Sequence, residues 1–154
     1  MTPPLINRNL PRLLLQARES VMAQTRPGLR EHGLSDPQWR VLRVLGELGV
    51  VETGRDAREA FILGPSLTGM LTRMERDGLI RRARNAADQR RTVVEATAKG
   101  RRLVGKLSHP IEAHCAFMEG SLGKNKLAQL YALLDEVIAL EGPQLQPNQL
   151  ELSP

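Results

Sequence analysis

Aromatic side chains are scarce in this sequence: one Trp, one Tyr and two Phe among 154 residues. Trp39, Phe61, Phe117 and Tyr131 stand far apart. That excludes the row of stacking rings on which RNA and single strands are bound. Cysteine is nearly absent too. Cys115 stands alone, so no intrachain disulfide can form and a reducing compartment fits. Its neighbours Ile111, Phe117 and Met118 predict a buried structural thiol rather than a redox sensor.

Long apolar runs are missing as well. No window approaches the roughly 20 apolar residues of a membrane span, and MTPPLINRNLPRLL at the start has no apolar signal core. The expected location is the cytoplasm, with no membrane partner. Metal-ligand spacing is also lacking: His109 and His114 are five apart, off one helical face, and His32 is remote. The histidines are expected at the surface or in caps. Gly64 to Gly69 copies the glycine spacing of a P-loop, but Met70-Leu71 stand where Lys and Ser/Thr are required. Glu75 and Asp77 are paired carboxylates on a surface helix beside arginines, with no sign of a pocket. The sequence therefore predicts no enzyme, no metal site and no cofactor.

What is present is positive charge, unevenly spread. The net charge is +5, and between Arg73 and Arg91 seven arginines face only Glu75, Asp77 and Asp88. A concentrated basic segment favours an anionic partner. Within it, Leu67, Met70, Leu71 and Met74 recur at i, i+3, i+4 and i+7, an apolar helical stripe. The opposite face carries Thr68, Gly69, Thr72, Arg73 and Arg76, shallow in the middle and cationic toward one end.

The remaining elements can be read in order. A helix follows Pro11, with Leu14, Ala17, Val21 and Met22 inward and a break or kink at Pro27-Gly28. Ser35-Asp36-Pro37-Gln38 is a capping box that opens a helix running to Gly49. A short extended VVET precedes a modest helix around 55–62. The basic helix then starts with Pro65 at its first position and closes at Gly78. LIRRAR and RTVVEA form two strands joined by NAADQR. A helix of about 36 Å at about 1.5 Å per residue runs from Ala98 to Leu122, bent at Pro110. LAQLYALLDEVIALE is the last helix, before a loose Pro- and Gln-rich tail.

Helix–turn–helix followed directly by a β-hairpin is a winged helix-turn-helix in a mainly α fold. An exposed helix with a small centre can enter a groove of double-stranded DNA, and a hairpin tipped by Asp88, Arg90 and Arg91 can reach the adjacent backbone. The long helices carry more apolar stripe than a small winged core can cover, which predicts a two-fold partner.

The runs SDPQWRVLRVL (35–45), PSLTGMLTRMERDGLIRR (65–82), DQRRTVV (88–94) and TAKG (97–100) resemble the MarR family of bacterial transcriptional regulators. The likeness is greatest to its branch governing homoprotocatechuate and related aromatic-acid catabolism. It spans roughly residues 10–140. Ala96-Thr97 replaces the usual Leu-Thr, and the Leu-Ala pair of the third helix reads Ala57-Arg58.

The resemblance implies a homodimer with an N-terminal dimerisation helix (1–34), a winged domain (35–97), C-terminal dimerisation helices (98–141) and a tail (142–154). It places Pro65, Ser66, Thr68, Gly69, Thr72, Arg73 and Arg76 on the DNA-reading helix. Asp88, Arg90 and Arg91 fall on the wing, with Asp88 orienting an arginine while Arg90 meets DNA. It also implies a small aromatic carboxylate effector of the hydroxyphenylacetate, hydroxycinnamate or hydroxynicotinate type, held by Arg18, Ser35, Gln38, Trp39 and Arg43. Trp39 and Arg43 share one helical face, an aromatic wall beside a bidentate cation. The implied function is a repressor on a palindromic operator, released by the acid; the alternative is an effector-independent, architectural DNA-binding protein.

Overall fold

The computed structural model describes residues 8–54, 57–58, 61 and 66–143. The chain runs α1 (Leu10–Ala23), α2 (Arg26–Glu31), α3 (Asp36–Leu48), β1 (Val50–Glu52), α4 (Leu67–Arg76), β2 (Ile80–Arg84), β3 (Thr92–Ala96), α5 (Ala98–Leu122) and α6 (Lys124–Ile138). Ala57, Arg58 and Phe61 are also helical, between β1 and α4. No described helix is long and apolar enough to cross a membrane. The backbone divides into two compact units, Met1–His114 and Cys115–Pro154, with the boundary inside α5.

Local chemistry sets the element ends. Asn9 caps α1 by accepting a hydrogen bond from the Arg12 amide at 3.0 Å. The first helix breaks at Gln24-Thr25, earlier than Pro27-Gly28. Proline fits the first turn of a new helix, so Pro27 opens α2 instead of kinking α1. Both halves of the Ser35–Gln38 capping box form: the Gln38 amide donates to Ser35 Oγ at 3.4 Å, and the Ser35 amide to Gln38 Oε1 at 3.0 Å. Gly78, at φ 75°, ends α4 in a Schellman motif, with the Gly78 amide on the Glu75 carbonyl and the Leu79 amide on that of Met74. Ser66 is the N-cap of α4, so the helix begins after Pro65, which lies outside the described residues.

The extended VVET is a third strand. The sheet order is β1-β3-β2, wholly antiparallel, with Val51 opposite Val94 and Arg82 opposite Val94 across the other ladder. Val94 is thus central and fully buried, and it joins a core with Trp39, Leu42, Phe61, Met74 and Ile80. Leu67, Met70, Leu71 and Met74 all point into this core. Gly100 lets α5 start flush against the sheet. A Cβ there would stand 2.2 Å from the Leu79 carbonyl oxygen.

Two expectations are corrected. α1 buries no residue: among the described residues Leu14, Ala17 and Val21 are exposed and Met22 is half-buried. Cys115 is exposed, not buried. Its neighbour Phe117 is 65% exposed, so the apolar surroundings read from sequence do not enclose the thiol.

Candidate nucleic-acid interface

The exposed face of α4 carries Thr68, Gly69, Thr72, Arg73 and Arg76, with Ser66 exposed at its start. Their polar groups are not equally available. Thr72 Oγ donates to the Thr68 carbonyl at 2.9 Å and accepts from Arg82 Nη2 at 3.3 Å, so its hydrogen is already engaged. Arg76 pairs with Asp77 at 3.2 Å, an exposed and weak bridge. Ser66 makes no side-chain cap bond. The Arg73 side chain has no hydrogen-bond or ion-pair partner among the described residues. Its guanidinium lies over Gly69, whose missing Cβ would sit 3.5 Å from Nη1. A small residue at position 69 therefore leaves the cation lying along the helix face.

The wing sorts its arginines in the same way. Arg81 pairs with Glu95 across the strands. Arg82 binds Glu75 on α4, and its bonds to that carboxylate hold Glu75 below the ordinary carboxylate range. Arg84 donates to the Gln89 carbonyl at 3.0 Å. Arg91 pairs with Glu52 of β1 at 3.1 Å and lies 3.7 Å from Asp88. Glu52 also accepts from the Asn85 side chain, which ties the turn to β1. Asp88 accepts from the Arg90 backbone amide at 3.0 Å. The Arg90 side chain has no partner among the described residues, at the exposed tip of the hairpin. Of the seven arginines from 73 to 91, Arg73 and Arg90 are the two whose side chains have no partner among the described residues. An unpaired guanidinium keeps its full charge and all its donors for an anionic partner.

A cleft of about 710 Å³ opens between α2, the start of α3 and α4. Arg30, Ser35, Gln38, Met70 and Arg73 line it, so Arg73 belongs to both the cleft and the exposed helix face. The capping box uses the Ser35 oxygen and the Gln38 carbonyl as acceptors, which leaves the Ser35 O–H and the Gln38 NH₂ as donors. The Arg30 side chain has no partner among the described residues. It was not singled out from sequence, because only the fold brings α2 beside α4. Arg26 pairs with Glu19 and with Asp36, both at 2.7 Å, and the bonds to Asp36 and then Glu19 raise its pKa.

The other expected effector residues lie outside this cleft. Trp39 is only 5% exposed, in the core. Arg43 pairs with Glu47 one turn on, at 3.3 Å. Arg18 pairs with Glu19 at 3.0 Å. Arg18 also acts on Arg40, whose pKa is pushed down first by burial and then by this neighbouring charge. No group of His, Cys, Asp and Glu among the described residues has the geometry of a metal site.

Comparison with known proteins places this geometry. The sequence profile of the MarR family matches residues 34–92. The homoprotocatechuate degradative operon repressor of Escherichia coli is 42% identical over 127 residues, 82% of this chain and 86% of that protein. The HTH-type transcriptional regulator FarR of Neisseria gonorrhoeae is 39% identical over 128 residues, 83% of this chain and 88% of that one. The crystal structure of NadR in complex with 4-hydroxyphenylacetate superposes with a TM-score of 0.77 at 35% identity, covering 92% of this chain and all of that one. The chain belongs to the MarR family.

Proposed function

We propose that the protein is a cytoplasmic, homodimeric repressor that occupies a palindromic operator and leaves it when a small aromatic carboxylic acid binds. One observation carries this reading. The cation on the α4 face whose side chain has no partner among the described residues, Arg73, also lines the cleft, so DNA and an anion in the cleft draw on the same guanidinium. Ser66, Thr68, Gly69 and Arg73 face the major groove, with Thr72 and Arg76 beside them and Pro65 at the helix entry. On the wing, Arg90 reaches the backbone, and Asp88 and Arg91 hold the hairpin that presents it.

A second copy of the chain supplies the cover that single-chain packing lacks. Leu10 and Leu15 are more than half exposed on α1. Separately, in the unit from 115 on, Phe117, Leu133, Ile138 and Leu140 are exposed by 59% or more. Residues 1–34 and 98–141 form the dimer, and 35–97 the reading head. The two heads are set by the dimer at about one duplex turn, ~34 Å. The protein acts by binding, not by turnover.

The effector class follows from a related regulator that holds 4-hydroxyphenylacetate and from a relative named for homoprotocatechuate degradation. Arg18, Ser35, Gln38, Trp39 and Arg43 form its site, with Ser35 and Gln38 donating to the acid. A second location is favoured by the cleft itself, where Arg30 and Arg73 would take the carboxylate. In either place the acid acts only through its different affinity for the DNA-bound and free spacings of the heads.

The test is fluorescence anisotropy on the duplex upstream of the protein's own gene, with a panel of phenolic and pyridine carboxylates. Salt-sensitive binding released by one acid is expected. Binding that no acid disturbs refutes the effector and supports the effector-independent, architectural reading. Arg43→Ala abolishing the release while DNA binding persists supports the first location; Arg30→Ala doing so supports the second.

A further inference from the structure

The one arginine of the wing that is bound to the reading helix is not an obvious DNA contact. Arg82 meets Glu75 at two points. Its backbone amide donates to Glu75 Oε2 at 3.0 Å and its Nη2 to Glu75 Oε1 at 3.0 Å. The same Nη2 donates to Thr72 Oγ at 3.3 Å. The side chain of Arg82 is 27% exposed, against 62% for Arg91 and 69% for Arg81. A carboxylate held by both the backbone and the side chain of one strand residue resists rotation of that strand about the helix. A single bond would not. On the other side of the junction the Schellman turn at Gly78 already fixes the chain.

We propose that Glu75 and Arg82 are positioning residues for DNA recognition, a clasp that fixes the angle between α4 and the wing. Arg73 on the helix and Arg90 on the hairpin are then presented to one duplex at a set separation. Thr72 is held in one orientation by the same clasp. Neutralised by Glu75, Arg82 contributes little net charge to the groove. Its role is orientation, whereas that of Arg90 is charge. The inference rests on the proposed DNA-binding function and adds to it two residues that neither the basic face nor the wing motif contains.

The Arg82 amide gives a readout that does not depend on DNA. β2 is an outer strand, and this amide donates to Glu75 and not to the ladder. In the full-length dimer, amide exchange followed by NMR should show protection at Arg82 that Glu75→Ala removes, with the Leu79 and Gly78 amides unchanged. On DNA, Glu75→Ala and Arg82→Gln should each lower affinity for the specific duplex about tenfold. Affinity for random duplex and the salt slope should stay as in the native protein, and the double variant should be no worse than either single one.

Three results overturn the proposal. The first is an Arg82→Gln variant that loses affinity equally on both duplexes with a flatter salt slope, since Arg82 then touches phosphate. The second is specific affinity untouched by Glu75→Ala. The third is a native protein that binds neither duplex although the Arg82 amide is protected. In that case the clasp stands as architecture, and it is the DNA-binding reading that has failed.

Discussion

Replacing Gly100 with alanine should destabilise the protein, although alanine is the better helix former. Gly100 is buried in the first turn of α5. An added Cβ would sit 2.2 Å from the Leu79 carbonyl oxygen, 3.2 Å from its carbon and 3.3 Å from Leu42 Cδ2. Non-bonded heavy atoms settle near ~3.5 Å, so the helix and the start of β2 must part by more than ~1 Å. The same Leu79 carbonyl accepts the Thr97 amide at 3.1 Å, and Thr97 Oγ donates to the Gly78 carbonyl and accepts from the Gly100 amide. The movement therefore strains the junction of wing and α5 as a unit.

Overpacking costs about 1–3 kcal/mol, and a weakened hydrogen bond about 1 kcal/mol more. Helix propensity returns about 1 kcal/mol. The net loss is about 1–3 kcal/mol, or roughly 2–12 °C in Tm for a chain of this size. The assay is thermal unfolding by circular dichroism at one fixed protomer concentration, because dimer stability depends on concentration. Gly105→Ala in the same helix is the control. A Cβ there meets nothing within 4 Å, so its Tm should hold or rise. If Gly100→Ala melts with or above the native protein while Gly105→Ala behaves as expected, the junction is not rigid and the steric argument is wrong.

Other outcomes follow from the same geometry. Ser35→Ala removes half of the capping box and should cost about 1 kcal/mol in urea unfolding; an unchanged midpoint would mean that Gln38 alone holds the end of α3. Arg73→Ala should weaken specific binding by ~1–3 kcal/mol if it reads a base edge, and equal losses on every sequence would assign it to phosphate. Arg90→Ala should lower the salt slope by about one ion per protomer, with the ratio of specific to random affinity preserved. Glu75 titrates below its ordinary value of 4.5 in the folded chain. Its contribution is therefore present above that value and is lost as pH falls through the lower, folded one. The Tm gap between the native protein and Glu75→Gln should stay constant at neutral pH and close in acid.

Much of this architecture was legible because the signals are local. The Ser35–Gln38 box, the stripe Leu67-Met70-Leu71-Met74, Gly78 as helix stop and the strands around 80–84 and 92–96 each depend on a few adjacent residues. What was not legible depends on the fold. VVET gave no sign of pairing, because a three-residue strand becomes one only opposite Val93–Glu95. The seven arginines looked alike in sequence; Glu75, Glu95 and Glu52 tell them apart, the last from 39 residues away. Cys115 was misread because apolar neighbours along a helix bury a thiol only where another element packs over them, and the thiol is exposed. The glycine of TAKG was visible as part of a family pattern, but its close approach to Leu79 was not.

The wing's outer strand has a further consequence, for solubility. β2 lies at the edge of the sheet, and an unpaired strand edge is a template on which another copy can build. Here that edge reads Ile-Arg-Arg-Ala-Arg, with one outward amide capped by Glu75. Two such edges brought together would crowd three arginine side chains against three, and Arg84, which has no carboxylate partner among the described residues, against its own copy. Arginines engaged within the chain thus also keep free wings from adding to one another into a continuous sheet. Exchanging Arg81 and Arg84 for strand-favouring Thr or Val would remove that guard, and the cost would be aggregation.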